Sequence, residues 1–177
     1  MKRTNTFLLN IIKEQESRLF KLADNCSKMY NEVNYKRRQS FFSGKIDWNT
    51  DELYFKYTGI VDSATTQQII IKNNEAWKYF FFMLKRKEYG KLSKNIKKIG
   101  VPGYLKYRKT GERDVRIIIR NNCYKLIGDI LELPFKLSIK WRGKNKWHGK
   151  QGRLEIAYDK LSHRWYAFQP VKVKPPH

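Results

Sequence analysis

Acidic residues are scarce in this 177-residue chain, where 16 Asp and Glu stand against 38 Lys and Arg for a formal net charge of +22. A compact chain with that surplus repels itself unless a polyanion neutralises it. The imbalance therefore argues for nucleic acid as a partner and against an ordinary metabolic enzyme. Cysteine is scarce as well. Cys26 and Cys123 stand far apart with no second cysteine near either, so structural zinc and a disulfide framework are unsupported and two reduced thiols in a cytoplasm are expected. Long apolar runs are missing. The longest, Tyr79 to Leu84, falls far short of the ~20 residues that span a bilayer. Near the N-terminus, Phe7 to Ile12 is interrupted by Asn10 and ended by Lys13-Glu14-Gln15-Glu16, a pattern that excludes a signal peptide. No membrane partner is expected.

What the chain does hold is aromatic surface. Its 5 Trp, 11 Tyr and 10 Phe are far more than a basic tail carries, and they suit one domain or two small ones with a real core. Thr4 to Leu9 reads as a strand. A long helix begins near Lys13, because Leu19, Leu22, Cys26, Met29 and Val33 recur at three- and four-residue steps, and it should end before Ser43-Gly44. Asp47 to Tyr57 predicts a shorter helix capped at Asn49 or Thr50 and closed by Thr58-Gly59. After Asp62 or Ser63, Ile69, Ile70, Asn73, Trp77, Phe80, Phe81 and Leu84 mark the buried face of a second long helix.

From Lys85 to Lys109 ten basic residues face one acid, Glu88, with Gly90, Gly100, Pro102 and Gly103 among them, which reads as a loop or broken helix. Strand periodicity follows: Val115 to Ile119, Tyr124 to Ile127, Ile130 to Leu133 and Leu137 to Trp141. A final hairpin comprises Arg153 to Tyr158 and Arg164 to Val171, with Tyr166, Phe168 and Val171 as its apolar members. The expected class is α+β: a small barrel of the oligonucleotide-binding type, closed by the first strand joining the later ones, with helices inserted between. The divisions are 1–12 for the first barrel strand, 13–110 for the helical insertion with its basic loop, 111–173 for the remaining strands and 174–177 for a linker.

Converging catalytic groups are few. A two-metal nuclease needs several carboxylates gathered at hard cations, and the acids here are scattered singly among caps, turns and helix faces. His148, His163 and His177 lack HExxH or HxH spacing and are expected in solvent. No catalytic residue, metal or cofactor is assigned.

The stretch 136–153 says more. It has seven basic residues and no acid, with Trp141 and Trp147 among them. Cations at this density neutralise phosphates, and indole faces support unpaired bases. Core packing suits Trp141, which alternates with Ile139, whereas Trp147 in a loop of Gly and Lys is favoured as a ligand contact. The phosphate-binding candidates are Lys85, Arg86, Lys87, Lys106, Arg108, Lys109, Lys140, Arg142, Lys144, Lys146, Lys150 and Arg153, with Trp147 beside them.

With these motifs placed, the chain resembles the TnpB family, transposon-encoded RNA-guided endonucleases related to type V CRISPR effectors. The resemblance rests on Met29-Tyr30-Asn31 and on Asn74-Glu75-Ala76-Trp77-Lys78-Tyr79-Phe80-Phe81. It continues through Pro102, Tyr104 and the basic run to Thr110-Gly111-Glu112, and then through Arg120-Asn121-Asn122 to Leu133-Pro134. No single motif is highly specific; their order and spacing over the whole chain carry the likeness.

The resemblance implies a wedge domain with an inserted helical recognition domain, followed after the final hairpin by a RuvC-like nuclease domain absent from these residues. It implies binding of a transposon-end guide RNA and of target double-stranded DNA next to a short motif, in a prokaryotic cytoplasm at the nucleoid, without cutting by this chain alone. Matching positions for motif reading are Trp48, Ser63, Gln67 and either Ile119 or Arg120, although Ser63 departs from the basic residue expected there. Two other functions fit the charge: a stand-alone DNA-binding regulator and a structural RNA-binding protein. Against the regulator, residues 43–62 are too long for the turn of a helix-turn-helix.

Overall fold

A computed structural model describes residues 1–96, 98–106 and 116–174. In chain order these form β1 (Lys2–Asn10), α1 (Lys13–Phe42), α2 (Asp51–Val61), α3 (Ser63–Glu88), β2 (Arg116–Ile119), β3 (Lys125–Ile127), β4 (Ile130–Leu133), β5 (Leu137–Arg142), β6 (Lys150–Gln151), β7 (Leu154–Asp159) and β8 (Arg164–Lys172). The order of strand, helices, then strands is the α+β order expected. Thr110-Gly111-Glu112, Arg108, Lys109, the start of the strand expected from Val115, and Pro175-Pro176-His177 lie outside the described residues.

α1 belongs to two cores. Its first turns bury Leu19 and Ala23 against the sheet, together with Phe7, Leu9, Ile117, Ile119, Leu131, Ile139, Leu154, Ile156, Trp165 and Ala167. Further along, Cys26, Met29, Tyr30 and Val33 pack with Tyr57, Val61 and Ile69 of the other helices. Thirty residues give α1 a length of about 45 Å, enough to reach both. Side chains fix its start on the sheet: Gln15 Nε2 donates to the Ser138 carbonyl at 2.8 Å, Trp165 Nε1 donates to Glu16 Oε2 at 3.2 Å, and Arg18 donates to the Phe135 carbonyl.

The second helix is displaced from its expected bounds. Asp47 Oδ1 accepts from the Asn49 amide and Asn49 Oδ1 from the Asp51 amide, both at 2.9 Å, so 47–50 is a pair of Asx turns outside the helix. Thr58 and Gly59 lie inside α2 rather than closing it; the Thr58 hydroxyl turns back to the Phe55 carbonyl. One residue, Asp62 at φ 75°, joins α2 to α3. Its carboxylate accepts from the Thr65 amide at 3.0 Å and from the Thr65 hydroxyl at 2.9 Å, so of the two caps open in the sequence, Asp62 and Ser63, it is Asp62 that serves. α3 then runs to Glu88, so Lys85, Arg86 and Lys87 are helical and not part of a loop. Lys and Arg are good helix formers, and cations suit a helix C-terminus. Leu84 lies on the exposed side and Met83 takes its place in the core.

The strands form one antiparallel sheet in the order β2-β7-β8-β1-β5-β4-β3, with β6 beside the end of β8. The expected closure is not seen among the described residues. β2 has four residues and β3 three, and the turn between them, closed by the Cys123 amide on the Arg120 carbonyl at 2.9 Å, leads into pairing of β3 with β4 alone. Side chains span the opening instead: the Tyr124 hydroxyl donates to the Gly152 carbonyl at 2.9 Å, and Gln151 Nε2 donates to the Asn121 carbonyl at 2.6 Å. In β8 the inward residues are Trp165, Ala167, Gln169 and Val171. Tyr166 and Phe168, expected among the apolar members, face outward and stay half-buried.

Candidate nucleic-acid interface

The motifs that carry the family likeness are first of all packing devices. Asn34, fully buried, accepts at Oδ1 from Trp77 Nε1 at 2.9 Å and from Asn73 Nδ2 at 3.2 Å, while its own Nδ2 donates to the Pro102 and Gly103 carbonyls at 2.9 and 3.1 Å. One turn earlier, Asn31 binds both the N–H and the C=O of Leu105. Arg38 Nη1 adds a bond to the Pro102 carbonyl at 2.9 Å. With Asn34 itself oriented by Asn73 and Trp77 of α3, α1 thus holds an irregular segment, 102–105, by its backbone, which satisfies groups that a coil would otherwise bury unpaired.

Arg37 is the cation of this interior. It is 1% exposed, donates to Asn73 Oδ1 at 2.6 Å, and its Nε has no hydrogen-bond partner among the described residues. Burial pulls its pKa down to about 10 in spite of the nearby Tyr30 and Asp47. Its guanidinium lies 5.0 Å from the centre of the Trp48 ring, an attraction strengthened where water is excluded.

Trp48 is therefore seated on Arg37, with Phe81 6.5 Å away, and its other surface is exposed. Ser63 and Gln67 are exposed on the first turns of α3. Fourteen residues separate Gln67 from Phe81, about 21 Å of helix rise, so Trp48 is not brought beside Gln67. The α3 N-terminus already carries the Asp62 carboxylate, which takes the place of a phosphate there. Ile119 is 1% exposed in the sheet core, whereas Arg120 reaches solvent in the turn after β2. On α3, Lys72 pairs with Glu155 and Glu75 with Arg153. Glu155 sits opposite Ile118, and Leu154 opposite Ile119. The register carries Arg120 toward the Glu75 side of α3, away from Ser63 and Gln67.

The basic stretch after β4 is built around a buried amide. Asn5, 2% exposed, donates to Asn145 Oδ1 and the Trp147 carbonyl at 2.8 Å and to Gln169 Oε1 at 3.0 Å, and accepts from the Trp147 amide at 3.0 Å. This pins the loop 143–149, which holds Lys144 and Lys146 out in solvent. Gly149 lies so close to β8 that a Cβ there would sit 2.3 Å from the Lys172 carbonyl oxygen. Trp147 is 36% exposed with the Arg3 guanidinium 4.9 Å from its ring centre, and Trp141 packs on Phe7 at 4.5 Å. Lys140, Arg142 and Lys150 are exposed.

Not every basic candidate faces a ligand. Arg153 is clamped by Glu75, at 3.1 and 2.8 Å. Arg86 donates from Nε and Nη2 to the Lys91 carbonyl at 3.2 and 2.7 Å, holding the chain after α3. Lys85, Lys87 and Lys106 lie on the surface.

Glu155, opposite Phe168 on β7, receives Arg116 at 2.5 Å and Lys72 at 3.6 Å. Burial would raise its pKa, but the Arg116 hydrogen bond and the three surrounding cations outweigh it and hold the carboxyl below its ordinary value. Lys72 is pulled down by the same burial. Among the described residues no three His, Cys, Asp or Glu come together as metal ligands, and no helix is long and apolar enough to cross a membrane.

Asn5 and Gln169 were missed in the sequence, although both fall in phase with apolar neighbours, Asn5 with Phe7 and Leu9, Gln169 with Ala167 and Val171. A polar residue on the buried phase of a strand was the available signal.

No family model matches the chain. It is 42% identical over 177 residues to the TnpB-like protein ORF457 of Acidianus two-tailed virus, an alignment covering 97% of this chain. The chain spans 39% of that protein's length. Its likeness to TnpB proteins, drawn from dispersed motifs, thus extends over nearly all of it.

Proposed function

We propose that this TnpB-like chain is the nucleic-acid-holding part of an RNA-guided DNA endonuclease, which grips guide RNA through its basic surface and reads a short DNA motif beside the target. The reading is carried by one observation: a net charge of +22 on a fold whose buried amides hold its basic loop and its coil 102–105 in place. A solvated charged face needs no such anchoring. In this reading Lys140, Arg142, Lys144, Lys146, Trp147 and Lys150 face the RNA, and the exposed Ser63 and Gln67 face DNA, with Trp48 and Arg120 set apart from them, Trp48 at the edge of the helical part and Arg120 toward the Glu75 side of α3. The strands would serve as the wedge domain. Cutting would belong to a RuvC-like nuclease part and not to these residues.

The test is to express the chain beside its native flanking locus and sequence the RNA that copurifies. A discrete RNA from one end of the element, released by salt, is the expected result. Recovery of no RNA, or of bulk ribosomal RNA alone, overturns the reading, and specific duplex binding without RNA would make the chain a stand-alone regulator.

A further inference from the structure

We infer that the outward face of the sheet is a stacking platform for unpaired nucleotides, centred on Tyr166 and Phe168. The inference rests on the nucleic-acid reading above, but its two rings lie on β8, outside the basic stretch 136–153.

The strand pairing places side chains in rows. At one end Lys150 of β6 is opposite Lys172 of β8, which is opposite Lys2 of β1. Residues directly opposite in an antiparallel pair share a face with Cβ atoms about 5 Å apart, and like charges so placed repel. Three lysines side by side therefore form a local site for anions. Moving along β8, Phe168 lies opposite Thr6, and Tyr166 opposite Leu8, which in turn is opposite Arg142 of β5. Lys140 follows opposite Asn10. The lysine row thus lies at one end of the face, Arg142 is level with Tyr166 two strands away, and Lys140 lies one row beyond it.

The rings suit bases. Their centroids are 6.4 Å apart with planes 30° from parallel, and both are half-buried, held by their neighbours with part of each ring in reach of solvent. Base stacking on such a pair tolerates any sequence, since every base has a π-face. Six residues separate Tyr166 from Lys172, about 20 Å of strand, so a single strand of a few nucleotides can set bases on the rings and phosphates on the lysine row and Arg142. The acid opposite Phe168, Glu155, is already matched by Arg116 and Lys72. Arg116 also lies 6.0 Å from the centre of the Phe168 ring.

The experiment measures binding of the full chain to a fluorescent 12-nucleotide uridine oligomer and to a blunt 12-base-pair duplex across a salt series. Tyr166→Leu and Phe168→Leu keep apolar bulk and should each weaken single-strand binding roughly tenfold, with little effect on the duplex and no change in salt slope. Tyr166→Phe should bind as the unchanged chain does. Lys2→Ala with Lys172→Ala should lower the single-strand slope by about 0.7 per lysine. Equal losses on duplex and single strand, or no loss from either leucine variant while the chain still binds nucleic acid, overturn the platform and leave the broader reading standing. No binding of the unchanged chain to either probe overturns both.

Discussion

Asn31 and Leu105, 74 residues apart, exchange two hydrogen bonds: Asn31 Nδ2 donates to the Leu105 carbonyl at 2.8 Å and Asn31 Oδ1 accepts from the Leu105 amide at 2.7 Å. A side-chain amide here does what a neighbouring strand would do, and it fixes a coil on a helix. Asn31→Ala should leave both backbone groups unpaired at a cost of about 1–3 kcal/mol. Hydrogen exchange should show the Leu105 amide losing its protection. Asn31→Asp keeps the acceptor and loses the donor, so that amide should stay protected in it.

The basic loop should depend on Asn5 and Gly149 rather than on its own sequence. Asn5→Ala removes the acceptor of the Trp147 amide and the Nδ2 group shared among Asn145, Trp147 and Gln169, and Gly149→Ala cannot be accommodated without moving the loop off β8. Both variants should keep the sheet, seen as unchanged far-ultraviolet dichroism, while proteolysis at Lys144 and Lys146 speeds up. RNA affinity should fall although no cation has been removed. Undiminished RNA affinity with a loosened loop would show that Lys144 and Lys146 need no fixed positions.

Much of this framework was legible in the sequence, and the failures have physical causes. The three- and four-residue recurrence from Leu19 to Val33 marks α1 because one face of it really is buried from sheet to helical core. Asp62 reads as a cap because the bond it accepts is local. Asn5 could not be read as an anchor, because its partners at 145, 147 and 169 come from the far end of the chain. Tyr166 and Phe168 read only as apolar members of the last hairpin, and the strand's alternation puts Trp165, Ala167 and Gln169 inside and these two rings outside. Trp48 looked like a surface reader of ligand, and its seat on a buried arginine has no mark in the local sequence.

The two thiols should differ sharply in reactivity. Burial, with a smaller contribution from the Asp62 charge, pushes Cys26 up to about 12, whereas Cys123 is partly exposed. The thiolate is the reactive form, so iodoacetamide near pH 8 should label Cys123 in the folded chain and Cys26 only on unfolding, as peptide mass mapping would show. Rapid native labelling of Cys26 would mean that the helical core opens readily.

Acid should undo the contact between α3 and the sheet. The Glu155 carboxyl is held below its ordinary value, so the folded state favours its charged form, and its stabilisation is fully present above the unfolded pKa of about 4.3 and lost as pH falls through the lower folded value. Glu155→Gln should therefore be less stable than the unchanged chain at pH 7, and the gap should narrow below about pH 4. Urea titrations at the two pH values measure it. A gap independent of pH would assign the loss to packing instead of charge.

Gln67 and the loop lysines should separate two kinds of recognition. Gln67 is exposed on α3, remote from Lys144, Lys146 and Lys150 in sequence and element, and a glutamine can pair bidentately with adenine N6 and N7, a contact worth about 1–3 kcal/mol of discrimination. Gln67→Ala keeps a good helix former in place, and the neighbouring Gln68, which is buried, is untouched. Motif preference of the RNA-loaded chain on a randomised duplex library should relax by roughly one to two decades, with RNA affinity unchanged. Replacing Lys144, Lys146 and Lys150 together by Ala should do the reverse: the slope of log affinity against log salt for RNA should flatten by about two to three units, and motif preference should stay as it was. If Gln67→Ala weakens RNA binding and leaves motif preference alone, the first turns of α3 face RNA, and DNA reading belongs elsewhere on the chain.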